Sequence, residues 1–326
     1  MKKKRNLWLI SIISIFMLIL SGCGQEKNSS KSADAKETDR TIRIGYQKFG
    51  TLNILKSKGE LETHLKELGY TVDWTEFPAG PQLLEALNVG SLDFGHTGEA
   101  PPIFAQAANA PLVYIANQPA NPSGEAIVVQ KDSPIKNVKD LKGKKVGLNK
   151  GSNVHYLLVK ALEEAGLTLD DIQPVYLPPA DARAAFEGNQ IDAWVIWDPF
   201  LSAAELELKT KTIQDGEGLV ANREFFLATD SFSENEEALK IIKEELIKVD
   251  KWIEENPSDV AEFLSPEIGI SVEALEKTLK RKEYGLEEIS STVLDDQQKI
   301  ADTFFNLKLI PSKINVLDAS ADVKKN

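Results

Sequence analysis

Four short segments, with one further glutamine and one arginine, gather small, polar and aromatic residues in patterns that can do chemistry. Gly95-His96-Thr97-Gly98-Glu99 reads as a turn between a strand and a helix. Its small residues let backbone N–H groups approach a ligand, and a helix start adds free N–H groups and a positive dipole end, which suits an anion. Lys150-Gly151-Ser152-Asn153-Val154-His155 has the same form. Ser152 or Asn153 either caps the following helix or donates to an anion, and His155 either faces the same way or packs on the helix. Asp192-Ala-Trp-Val-Ile-Trp-Asp-Pro199 ends a strand. Extended geometry sends Trp194 and Trp197 to opposite faces, so one of them is expected at a cleft. Asp198 lines the same place or caps the next helix. Pro78-Ala-Gly80-Pro81-Gln82 opens another helix, and Gln47 ends the first strand with an amide able to donate. Arg183 can grip an anion bidentately, or pair with Asp181 or a carboxylate of a facing lobe.

None of these segments forms a catalytic set. Gly-x-x-x-x-Gly-Lys-Ser/Thr is absent, which leaves nucleotide phosphate binding unsupported. Gly-x-Ser-x-Gly and His-Glu-x-x-His are absent too. A single cysteine, Cys23, excludes an intrachain disulfide framework, and three histidines leave little for a metal site. No metal, no cofactor and no catalytic residue is expected. With 38 basic against 50 acidic residues the net charge is −12, which argues against nucleic acid as a partner.

The elements that must position these segments alternate. Strands are expected over 41–47, 71–77, 92–95 and 112–116, with helices over 52–68, 81–89 and 101–108 between them. A run of turn formers, Asn117-Gln-Pro-Ala-Asn-Pro-Ser-Gly124, breaks the pattern. It restarts with strands 126–130, 145–148, 175–177 and 191–196 and helices 138–141, 152–165 and 180–186, then one from Pro199. A strand over 224–229 precedes helices at 234–255, 258–264, 272–282 and 295–307. Such order predicts largely parallel sheets covered on both faces, in two α/β lobes. The 326 residues suit two such units.

The N-terminus reads differently. Met1-Lys2-Lys3-Lys4-Arg5 precedes an apolar run over 7–20, as in a secretory signal. That run is short against the roughly 20 residues needed to span a bilayer. Leu20-Ser21-Gly22-Cys23 resembles the bacterial lipobox. The resemblance implies removal of residues 1–22 and a diacylglycerol thioether on Cys23, hence a lipid anchor on the extracytoplasmic face of a bacterial membrane. The charge of the remainder is −16. Residues 23–40 are polar and read as a flexible tether.

Eight segments in order resemble the aliphatic sulfonate-binding proteins of ABC importers, within the nitrate/sulfonate/taurine-binding family. They are Ile44-Gly-Tyr-Gln-Lys48, Trp74-x-Glu-Phe-Pro-Ala-Gly-Pro-Gln82, Glu85-Ala-Leu-Asn-Val-Gly90, Thr97-Gly-Glu-Ala-Pro-Pro-Ile-Phe-Ala-Gln-Ala-Ala108, Asp140-Leu-Lys-Gly143, Lys150-Gly-Ser-x-x-His155, Pro179-Ala-Asp-Ala-Arg-Ala-Ala-Phe186 and Asp192-Ala-Trp-x-Ile-Trp-Asp-Pro199. The likeness fades through the C-terminal helices. It implies a type II periplasmic-binding-protein fold, α/β, with lobe 1 from 41–120 plus 225–326 and lobe 2 from 121–224, joined by two crossing strands. It also implies a non-enzymatic, monomeric receptor that holds a small alkanesulfonate anion around Gly98, Glu99, Ser152 and Asn153 and delivers it to a permease driven by a cytoplasmic ATPase. Taurine, nitrate and a thiamine-precursor pyrimidine are the alternative ligands, and an enzyme of the same fold the more distant alternative. Glu99 stands where the family shows Asp. A carboxylate beside a sulfonate is unfavourable, so Glu99 is expected to offer its backbone N–H with its side chain turned away, or to meet an amino group on the ligand.

Overall fold

The computed structural model describes residues 40–321. The signal segment, Cys23 and the tether up to residue 39 lie outside the described residues, as do 322–326. Ten strands form two five-stranded sheets: β1 (Thr41–Gln47), β2 (Thr71–Phe77), β3 (Phe94–Gly98), β4 (Leu112–Asn117), β5 (Glu125–Val129), β6 (Lys145–Leu148), β7 (Gln173–Tyr176), β8 (Ala193–Trp197), β9 (Lys211–Asp215) and β10 (Glu224–Thr229). The first sheet runs β2-β1-β3-β10-β4 and the second β7-β6-β8-β5-β9. The chain passes between them at residues 118–124 and again at 216–223.

The sheets are largely parallel as expected, with one reversed strand in each. β10 runs antiparallel to both β3 and β4, and β5 antiparallel to both β8 and β9. The reason is topological. A parallel neighbour needs a crossover connection, usually a helix. β5 and β10 instead arrive straight from the other lobe and insert between strands already running the opposite way.

Each sheet buries both faces. On the first, Ile42, Ile44, Phe94, Phe226 and the helix Glu236–Glu255 form one core, and Leu83, Leu112, Leu227 and Phe304 another. Within that helix Ile242, Leu246, Val249 and Ile253 recur at helical spacing and face the sheet. The second sheet packs Val146, Leu157 and Val195 on one face, and Phe186, Trp194 and Leu201 on the other. Side-chain caps fix the C-terminal helices: Asn235 accepts from Ala238 N–H, Ser271 from Ala274 N–H and Ser290 from Val293 N–H.

Local departures have local causes. The helix expected over 52–68 is two, Thr51–Lys58 and Glu60–Glu67, because Gly59 takes φ 69° between them. β3 runs on to Gly98, so His96 and Thr97 are strand residues and not a turn. β9 was not anticipated; Lys-Thr-Ile-Gln-Asp carries one large apolar residue and little alternation.

Candidate functional site

A cavity of about 680 Å³, counted to its open mouth, lies between the sheets. Gln47, Phe49, Gly80, Gly98 and Pro101 line it from the first lobe, and Ser152, Asn153, Trp197 and Asp198 from the second. Pro119, Asn121, Gly124 and Asn222 contribute from the two crossings, Glu224 from the start of β10, and Thr278 and Lys282 from the C-terminal helices. It therefore sits beyond the carboxyl ends of β1, β3 and β8, where open α/β sheets favour ligands.

Two helix starts reach it from opposite lobes. Gly80 begins the helix Gly80–Asn88, and Ser152 is the N-cap of the helix Asn153–Glu164. Neither has a side-chain cap. Ser152 Oγ donates instead to the carbonyl of Asn149 at 2.7 Å, which leaves the first amides of its helix to other acceptors. Pro81 removes a donor from the other helix at the first turn, where none was needed for the helix itself. Converging N-termini of this kind suit an anion.

Asn153 joins the lobes. Its Oδ1 accepts from Ala100 N–H at 3.3 Å and its Nδ2 donates to Asn222 Oδ1 at 2.7 Å. Asn222 in turn donates to the carbonyl of Asn121 at 2.8 Å. The approach requires glycine at 98: a Cβ there would lie 2.1 Å from the Asn153 amide. On another wall the lobes meet through charge. Arg281 donates to Asp198 Oδ2 at 3.0 Å and to Glu205 Oε2 at 2.6 Å, with Lys277 2.8 Å from Glu205. Asp198 Oδ1 also accepts from Ser202 and Thr278. Asp198 is thus fully partnered although it lines the cavity.

Lys282 and Glu224 form a third feature. Lys282 Nζ donates to Glu224 Oε2 at 3.0 Å and to Gln118 Oε1 at 2.7 Å. Burial works against the Glu224 charge, yet the Lys282 ammonium holds this carboxyl below the usual carboxylate range. His96 is buried beside Glu224, and desolvation lowers its pKa, which keeps the ring neutral.

The other residues singled out in the sequence lie elsewhere. Pro81 and Gly151 line an adjoining groove with Phe104 and Lys150. Thr97 is fully buried and donates to the Gly98 carbonyl, and Gln82 is only half-buried on its helix. Glu99 turns its side chain away from the cavity, to the amide of Arg223 at 3.2 Å, while its carbonyl accepts from Gln297. Burial, ahead of every other influence, pushes its pKa up to about 7. His155 is buried in an aromatic cluster with Phe104, Tyr176 and Phe304, and its Nδ1 accepts from Gly151 N–H at 3.2 Å. Desolvation drops its pKa to about 4. Arg183 pairs with Glu187 and Glu207 on the surface of the second lobe. Trp194 is core, against Phe186, and Trp197 is the tryptophan at the cavity.

Sequence reasoning missed Phe49, Pro101, Pro119, Asn121, Gly124, Asn222, Glu224, Thr278 and Lys282. A signal existed for those at the crossings. Two segments that cross between the lobes must floor any cleft there, which singles out their polar residues. Thr278 and Lys282 carried no such signal.

Comparison with known proteins agrees with this architecture. A family model described as NMT1/THI5 like matches residues 65–266. A putative aliphatic sulfonates-binding protein of Escherichia coli K12 is 40% identical over 290 residues, covering 88% of this chain and 91% of the relative. One of the same description from Bacillus subtilis 168 is 34% identical over 314 residues, covering 95% and 93%. Among solved structures, the alkanesulfonate-binding protein SsuA of Xanthomonas axonopodis pv. citri, bound to MOPS, superposes with a TM-score of 0.82 at 38% identity, covering 86% of this chain and 97% of that one. These relatives are solute-binding proteins and not enzymes.

Proposed function

Because this chain belongs to the NMT1/THI5-like family, beside the aliphatic sulfonate-binding proteins, we propose that it is the receptor of an ABC importer that captures an aliphatic sulfonate between its lobes. The observation that carries the reading is the pair of helix starts without side-chain caps, one from each lobe, on a single cavity. A sulfonate keeps its charge at neutral pH and has three accepting oxygens and no proton to give. The amides of Asn153 and Val154, with those of Gly80 and Gln82, supply donors of the right kind, each charge-assisted bond contributing on the order of 1.5–3 kcal/mol. Trp197 and Phe49 supply apolar area for an alkyl chain. The net charge of −16 that remains without residues 1–22 offers such a ligand no long-range attraction, so recognition rests on these oriented donors.

Donors from both lobes act together only when the lobes are closed. A ligand that touches both therefore shifts the population toward closure. The receptor so closed delivers its cargo to a membrane permease driven by a cytoplasmic ATPase. It acts as a monomer tethered through a lipid on Cys23. Replacing Cys23 by alanine is expected to release the protein from the membrane fraction of its host. A crystal structure with pentanesulfonate tests the site: the sulfonate oxygens should lie within 3.2 Å or so of the Asn153 and Val154 amides. Density for the ligand at any other place would overturn the assignment.

A further inference from the structure

The cavity holds one feature that an anion does not need. Two acidic side chains line it, Asp198 and Glu224. The oxygens of Asp198 are occupied by Arg281, Ser202 and Thr278. Those of Glu224 are not. Oε2 accepts from Lys282, and within the described residues Oε1 carries no hydrogen bond, while the side chain remains 30% exposed toward the cavity. Lys282 cannot serve a second anionic group equally well, because Gln118 and Glu224 already take two of its three donors and its Nζ also lies 5.6 Å from the centre of the Tyr284 ring. Glu224 pairs in register with Gly98 across β10 and β3, so its backbone is adjacent to the strand end that meets Asn153 and the helix start behind it. One small cavity thus presents free amides suited to an anion and a carboxylate oxygen suited to a cation or a strong donor.

We propose that Glu224 is a specificity-determining residue, whose free oxygen accepts a hydrogen bond from an ammonium group on the ligand, so that the preferred cargo is a short aminoalkanesulfonate over a plain alkanesulfonate of equal length. The proposal rests on the sulfonate reading and narrows it. An ammonium near Glu224 forms a charge-assisted hydrogen bond. An unsubstituted alkyl end leaves the same oxygen buried by the ligand without a partner, which is unfavourable. The discrimination comes as much from that penalty as from the new bond.

Calorimetric titration with 3-aminopropanesulfonate and butanesulfonate, which have the same number of chain atoms, tests the idea. The wild-type protein is expected to bind the amino compound at least about tenfold more tightly, a difference of about 1.4 kcal/mol. In Glu224→Gln the preference should vanish, and butanesulfonate should bind several-fold more tightly than to wild type, because Lys282 then lacks its counter-charge. Equal or tighter binding of butanesulfonate by wild type would overturn the proposal, as would a preference that survives in Glu224→Gln. The wild-type comparison stands without the variant should that fail to fold. Binding of neither compound to wild type would instead overturn the sulfonate reading beneath it.

Discussion

Two of the junctions between the lobes, beside the aromatic contacts of Phe104 and Phe304 with His155, are built from different chemistry. Around Asn153 the contacts are neutral: an amide side chain between the Ala100 N–H and Asn222, with glycine at 98 to let it in. Around Arg281 they are ionic, with Asp198, Glu205 and Lys277 interleaved and all but Lys277 largely shielded from water. The difference follows from what each junction borders. Next to the uncapped start of the helix Asn153–Glu164 a fixed carboxylate would repel an anion, and a fixed cation would have to be desolvated. Neutral groups avoid both. Beside the helices Phe200–Glu207 and Val272–Arg281 the Asp198 carboxylate also lines the cavity, but its oxygens are taken by Arg281, Ser202 and Thr278, so paired charge can hold the lobes at a definite angle.

The largest expected effect belongs to the ionic junction. Arg281→Ala leaves Asp198 and Glu205 without their shared partner in a site where the arginine is only 15% exposed. Removing one member of such a cluster costs about 3 kcal/mol or more, read as a lowered midpoint in urea unfolding. A loss under about 1 kcal/mol would mean that the other junctions between the lobes carry the closed arrangement.

Next comes a carboxylate kept out of the cavity. Glu99 has a folded-state pKa of about 7, raised by burial, and Glu125, buried nearby, is raised well above the ordinary value by the same cause. An acid whose pKa rises on folding destabilises the fold when ionised. The effect is absent below the unfolded value and complete above pH 7, so stability falls as pH rises through that window. Glu99→Gln should therefore outlast wild type in thermal unfolding at pH 8, by up to about 3 kcal/mol, with the gap closing toward pH 4.5. A gap that does not change with pH would contradict this.

Gly98→Ala isolates the neutral junction. The added methyl meets the Asn153 amide, so the closed form is disfavoured while each lobe keeps its core. Sulfonate affinity should fall roughly thirtyfold, near 2 kcal/mol, with little change in the unfolding midpoint. Asn153→Ala is the milder version and should weaken binding several-fold, the scale of one or two hydrogen bonds. A matching loss of stability in either variant would assign the residue to folding and not to the cleft.

The legible part of this molecule was the part governed by local pattern. β1, β2, β6 and β10 run over the residues expected of them, and alternation put Trp194 and Trp197 on opposite faces, though only the fold shows that Trp197 is the one at the cavity. Gly98 and Asn153 were singled out as small and polar groups at element ends, though their joint role depends on a close approach that only the fold reveals. The one reversed strand in each sheet was not legible, because nothing in the sequences of β5 and β10 records which lobe they come from. Nor were Thr278 and Lys282. They lie at the end of an amphipathic helix, where a threonine and a lysine resemble any solvated face until Asp198, Gln118 and Glu224 are brought opposite. Glu99 and Glu224 show the limit in one pair. The resemblance left Glu99 either turned away or facing the ligand; the chain buries its side chain against Arg223, and it is Glu224, a strand away, that lines the cavity.

The central claim is that this cavity captures a sulfonate, and calorimetric titration of the protein with pentanesulfonate measures it directly. The account predicts one site, a dissociation constant in the micromolar range or below, and no comparable heat with sulfate or nitrate. The absence of heat, and of any thermal stabilisation, with every alkyl and aminoalkyl sulfonate tried would contradict it.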